Sequence, residues 1–120
     1  MSSLTKLPLV ITMGEPAGIG WEITMKAWLN RSNLNSSFYL LEDFNRLSIL
    51  LKKLNKPIPI KKISHPSQAR NIFKEALPVF DTPIEAKVVP GKPSKSTAKD
   101  VIGSIQIAVD HVTHNLAAGL

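Results

Sequence analysis

Gly14-Glu15-Pro16-Ala17-Gly18-Ile19-Gly20 concentrates glycines and a carboxylate in one short stretch, between an apolar run and an amphipathic one. Glycine permits tight bends and close backbone approach, and the first turn of a helix offers unpaired N–H groups and a partial positive charge to an anion. A phosphate-bearing ligand fits that chemistry. A purely structural strand-to-helix connection fits it equally, and the residue types do not separate the two readings. The stretch is not a Walker loop, because no Gly-Lys-Ser/Thr follows, and its glycine spacing is not G-x-G-x-x-G.

The remaining polar residues make weaker cases. His111 and His114 are three apart on a helical pattern, but two imidazoles fall short of a usual metal ligand set, and a solvated pair at a helix end is expected. His65 precedes Pro66 in an expected loop. Glu42-Asp43, Asp81 and Glu85 read as turn and cap residues rather than a catalytic dyad, and Ser94 and Ser96 have no base beside them. No catalytic residue and no metal ligand is assigned in this chain.

The elements that must position the glycine turn follow from periodicity. Leu7 to Met13 is a nearly continuous apolar run, as in a strand covered on both faces. A helix follows from Gly18 to Leu29 on Ile19, Ile23 and Ala27, with Met25 and Trp28 one position off that stripe. Phe38 to Leu41 is a second strand, and Glu42-Asp43 can cap a helix carrying Leu47, Leu50, Leu51 and Leu54. Pro57 to Ile63 alternates apolar and polar residues, but its prolines demote it to an edge strand or extended connection. Ser67 is expected to cap a short helix through Ala76, followed by extended pieces at Leu77 to Phe80 and Ala86 to Val89. Pro90-Gly91-Lys92-Pro93-Ser94 is a loop. From Ser96 onward Val101, Ile105, Ala108, Val109, Val112 and Leu116 form the strongest helical stripe. Gly119 suits the left-handed position after that helix, where a buried parallel strand should come next.

This alternation predicts an α/β fold: a mostly parallel sheet with flanking helices, incomplete because the chain stops after its last helix. An incomplete sheet leaves open edges and an under-covered stripe through Val101, Ile105 and Val109, which favours oligomerisation. At 120 residues, 43% hydrophobic and 20% charged, the chain has the composition of one folded domain, and no composition shift divides it. No apolar run reaches the roughly 20 residues of a membrane span, and no signal peptide opens the chain. The absence of cysteine excludes disulfides and thiolate sites and makes the cytoplasm the expected compartment. The net charge of +6 raises nucleic acid as a partner. Lysine dominates over arginine, and Phe44 is the single aromatic between Asp43 and Pro66, so a solvated lysine-rich face is expected instead.

The run Val10 to Gly20, with Glu22 two residues on, resembles the opening signature of the 4-hydroxythreonine-4-phosphate dehydrogenase family. Pro90-Gly91-Lys92-Pro93, followed by Ser104, Ile105, Ala108 and Val109, is similar to the family segment before its central strand. The resemblance covers residues 1–120 as one amino-terminal segment of a longer protein whose carboxyl-terminal part is absent here. It implies an isopropylmalate-dehydrogenase-like fold and an NAD-dependent enzyme of pyridoxal phosphate biosynthesis. Its substrate is a small phosphorylated hydroxy amino acid, 4-phosphooxy-L-threonine, oxidised and then decarboxylated. It further implies a divalent metal held by later histidines not in this chain, a homodimer, and a cofactor-side loop at Gly14, Glu15, Gly18 and Gly20. Trp21 stands where the family usually has proline, and its bulk is expected to alter cofactor approach. The chain alone is expected to be inactive and to need a complementing carboxyl-terminal chain. An inactive remnant, a small binding module, or part of a related sugar-acid phosphate dehydrogenase are the other readings.

Overall fold

In the computed structural model, residues 6–12, 20–53, 58–84 and 95–120 are described. Four strands, β1 (Leu9–Ile11), β2 (Phe38–Glu42), β3 (Ile60–Ile63) and β4 (Leu77–Asp81), form one sheet in the order β1-β2-β4-β3, and every pairing is parallel. Helices α1 (Gly20–Leu29), α2 (Phe44–Lys53), α3 (Ala69–Ile72) and α4 (Lys95–Thr113) connect and flank them. The expected α/β architecture is present. Among the described residues no helix is long and apolar enough to cross a membrane.

Side chains alternate across a strand, and here the alternation feeds two cores. Phe38, Leu40, Leu77 and Val79 join Trp21, Met25 and Trp28 of α1 and Leu47 and Leu51 of α2 on one face. Val10, Tyr39 and Leu41 join Ala69 and Ala108 on the other, with Phe80, Ile107 and Val112 packed against them. Every residue of β2 is buried, which explains why its run from Phe38 to Leu41 is continuously apolar rather than alternating.

β3 lies at the sheet margin and pairs with β4 alone among the described strands, the edge position expected of it, and its two prolines fall before the strand, so every position of β3 keeps its N–H. β4 is interior despite Pro78. Its ladder with β2 begins only at Val79, so the donor that Pro78 lacks is missing just before the ladder starts.

Several local expectations are corrected. On α1 the buried stripe is Trp21, Met25 and Trp28, and Ile23 is exposed, because the larger indoles and Met25 bury more apolar area against the sheet. Ser67 does not cap the short helix expected through Ala76. His65 caps a short 3-10 turn at Pro66–Gln68, where its Nδ1 accepts the Ser67 N–H, and α3 ends at Ile72. On α4 the buried residues are Ser104, Ala108 and His111, while Ile105 and Val109 are exposed. Ser104, Ala108 and His111 face the sheet, and Ile107 and Val112 pack at the margin of that core. Finally, α4 ends at Thr113 rather than near Gly119. Asn115 takes the left-handed position with φ 58°, and the Leu116 N–H bonds the His111 carbonyl while that of Asn115 bonds Val112, a Schellman cap. Gly119 is instead paired with β1: the Val10 N–H donates to its carbonyl at 3.0 Å, and the Ala118 N–H to Pro8 at 2.8 Å. That isolated parallel bridge lies where a strand was expected after the last helix. The extended piece at Ala86 to Val89 and the loop at Pro90 to Ser94 lie outside the described residues.

Candidate functional site at the carboxyl ends of the strands

In open parallel sheets, ligands bind beyond the carboxyl ends of the strands. The chain joins β1 to α1 at that end. Gly20 is the first residue of α1, exposed, with its carbonyl accepting the Thr24 hydroxyl at 3.0 Å. Gly14, Glu15 and Gly18 lie outside the described residues. Trp21 beside Gly20 is buried in the core with Met25 and Trp28, so its bulk is turned toward the sheet and not into the space before the helix. The indole exchanges a pre-set backbone for apolar burial.

Next along the same edge, the ends of β2 and β4 carry Glu42, Asp43 and Asp81. Asp43 caps α2: its Oδ1 accepts the Arg46 N–H at 3.0 Å, and its Oδ2 accepts that of Ile84 at 2.9 Å. Oδ1 of Asp81 accepts the Phe44 N–H at 2.9 Å, and its Oδ2 lies 3.5 Å from Lys62 Nζ. These two carboxylates are consumed in closing the loops, as cap and turn residues should be.

Glu42 is different. It is 1% exposed, with Oε1 accepting the Asp43 N–H at 3.0 Å and sitting 3.3 Å from the Arg46 guanidinium. Burial pushes its pKa above the ordinary carboxylate value, and the Asp43 N–H and Arg46 pull against that rise. A charge closing a fully apolar strand was the sequence signal for it. Behind it the Thr82 hydroxyl is buried without a partner among the described residues. Glu85 lies outside the described residues.

The histidines do not gather. His111 is buried, its Nδ1 2.7 Å from the Tyr39 hydroxyl and its ring edge-on to Phe80 at 5.0 Å. His114 is exposed and pairs with Asp110 at 3.2 Å. The expected solvated pair is therefore split, because the helix turns His111 onto β2 and leaves His114 beyond the last turn. Among the described residues no three His, Asp or Glu side chains lie close enough together to hold a metal ion, so they support no step through one.

No protein-family model matches the chain. Individual relatives do. The 4-hydroxythreonine-4-phosphate dehydrogenase of Bradyrhizobium diazoefficiens is 40% identical over 121 residues, covering 93% of this chain and 35% of that protein. The protein of the same name from Caulobacter vibrioides is 33% identical over 117 residues, covering 98% and 34%. The chain thus spans about a third of the length of the curated relatives it matches. A solved structure of a putative 4-hydroxythreonine-4-phosphate dehydrogenase from Salmonella typhimurium superposes with a TM-score of 0.78 at 23% identity, covering 93% of this chain and 36% of the other. That likeness establishes the shared fold.

Proposed function

From its kinship with the 4-hydroxythreonine-4-phosphate dehydrogenase family, of which it represents an amino-terminal part, we propose that the chain supplies the cofactor side of an NAD-dependent dehydrogenase. The observation that carries this reading is sequence similarity over 93 to 98% of the chain to proteins of that name. The parallel sheet supports it by delivering β1 and the start of α1 to the carboxyl edge, where nucleotide cofactors approach. In this proposal Gly14, Glu15, Gly18 and Gly20 form the cofactor loop, and the N–H groups at the start of α1 face the pyrophosphate.

The substrate is 4-phosphooxy-L-threonine. Its carbinol carbon gives hydride to nicotinamide, its hydroxyl proton is released, and the resulting β-keto acid loses carbon dioxide. A divalent metal would polarise the reacting oxygen, with ligands from residues that this chain does not contain. Turnover then depends on the part of the family protein that the chain does not match, and a homodimer completes the site.

The test mixes the chain with a polypeptide carrying that unmatched part of a relative, then adds 4-phosphooxy-L-threonine, NAD and a divalent metal. NADH should form in the mixture and not with the chain alone. Gly18→Val should weaken NAD binding, because a β-branched side chain blocks close approach. Unchanged NAD binding in that variant would remove the loop from the site, and a mixture that binds no NAD would leave a non-enzymatic remnant as the better account.

A further inference from the structure

At the opposite, amino-terminal end of the sheet, a cleft of about 910 Å³ opens between the start of β1, the segment before β2, the end of α1 and the turn after α3. Lys6, Arg31, Arg70 and Lys74 line it together with Asn35 and Asn71, and among the described residues no carboxylate does. In a chain with 15 basic and 9 acidic residues, that one-sided lining is a local concentration of positive charge.

Lys6, Arg31 and Lys74 are held in place without a carboxylate partner among the described residues. The Arg31 Nε donates to the Lys74 carbonyl at 2.9 Å and its Nη1 to the Trp28 carbonyl at 3.3 Å, with the guanidinium 3.8 Å over the Trp28 ring. The Lys6 ammonium donates to the Asn35 carbonyl. Backbone carbonyls and an indole fix these side chains but leave their charge in place. Like charges so arranged repel one another, and an anion bound among them relieves that cost. The volume falls within the range of small-molecule sites, and side-chain amides and Ser36 and Ser37 add donors around the rim.

The geometry points to a second site in this cleft, for a small phosphate-bearing polyanion, with Arg31 as its pre-positioned anchor and Lys6 and Lys74 closing on the ligand. It stands apart from the carboxyl edge where the cofactor is proposed to bind, so its failure leaves the dehydrogenase reading untouched.

Calorimetric titration of the whole chain with inorganic pyrophosphate at low ionic strength tests it. The Lys6→Gln/Lys74→Gln double variant should bind about tenfold more weakly, and Lys61→Gln/Lys99→Gln, which removes equal charge elsewhere, should stay within about twofold. Both pairs sit on exposed side chains, and circular dichroism checks that each variant folds. Orthophosphate should bind more weakly than pyrophosphate. Equal weakening in the two double variants would reduce the effect to diffuse surface charge and overturn the site. So would absence of pyrophosphate binding, or capture of a short single-stranded oligonucleotide by a chain that ignores pyrophosphate.

Discussion

The hydroxyl of Tyr39 lies 2.7 Å from Nδ1 of His111, tying the interior strand β2 to the last turn of α4 across 72 positions of sequence. Burial raises the Tyr39 pKa and lowers that of His111, so both are neutral near pH 7. In the Nε2–H tautomer of the imidazole, the phenol donates to Nδ1. Tyr39→Phe leaves that nitrogen buried and unpaired, and should cost about 1 to 3 kcal/mol in urea unfolding. A loss close to zero would mean that water replaces the phenol.

The same pair sets a pH dependence. Desolvation lowers the His111 pKa, Asp110 opposes that shift and His65 adds to it. The unfolded chain then takes up the proton more readily than the folded one. The stability tied to neutral His111 is complete above an ordinary imidazole value of about 6.5 and is lost as pH falls through the lower folded value. Glu42 acts with the opposite sign: its raised pKa favours the folded state below the ordinary carboxylate range, and that contribution is lost as pH rises. The readout is therefore the difference between the native chain and His111→Gln in urea midpoint, across about pH 7.5 to 5.5. The native chain should lose more stability on acidification than the variant. Parallel curves would assign the acid sensitivity elsewhere.

Asp43 holds two backbone N–H groups, those of Arg46 and Ile84. Asp43→Ala removes the α2 cap and the tether of the segment after β4, and should cost about 1 to 2 kcal/mol. Asp43→Asn keeps one carbonyl acceptor and should recover part of that loss. Equal losses in the two variants would show that charge, not acceptor geometry, matters there.

The left-handed Asn115 separates backbone from side-chain effects at the end of α4. Asn115→Gly should leave stability unchanged or slightly raised, because Gly has no Cβ to strain at that φ, whereas Asn115→Ala should lower it by about 1 kcal/mol, because Ala keeps the Cβ and loses the local side-chain hydrogen bonding that lets Asn adopt it. Thermal unfolding of the two variants side by side decides the point.

Ile102, Ile105 and Val109 form an exposed apolar stripe on α4. Replacing each by Gln should change unfolding free energy by less than about 0.5 kcal/mol per site, as is usual for exposed positions. Any self-association seen by sedimentation should fall in the triple variant. A large loss of stability would show that the stripe is buried within the folded chain.

The order of elements was legible because strands and helices announce themselves through nearby residues. The apolar run at Phe38 to Leu41 foretold a second strand, and the prolines before Ile60 foretold an edge, whereas the run from Leu7, expected to be covered on both faces, leaves Leu9 exposed. Asp43 was legible as a cap because capping is a contact over three residues. Helix rotation was not. Ile23 satisfied helical periodicity as well as Trp21 did, and within the one stripe expected on α4 the sheet covers Ala108 and leaves Ile105 exposed. Gly119 failed as a helix terminator because Asn115 closed the helix earlier and the pull of β1 drew the glycine into an extended bridge.

Sequence by itself established kinship and the α/β alternation, since each rests on residue types at short separation. Tertiary structure alone decided that His111 is a buried partner of Tyr39, that Glu42 is a buried charge, and that Lys6, Arg31, Arg70 and Lys74 share one cleft. Burial and local field are sums over neighbours from distant parts of the chain. They come into being only when the sheet brings those parts together.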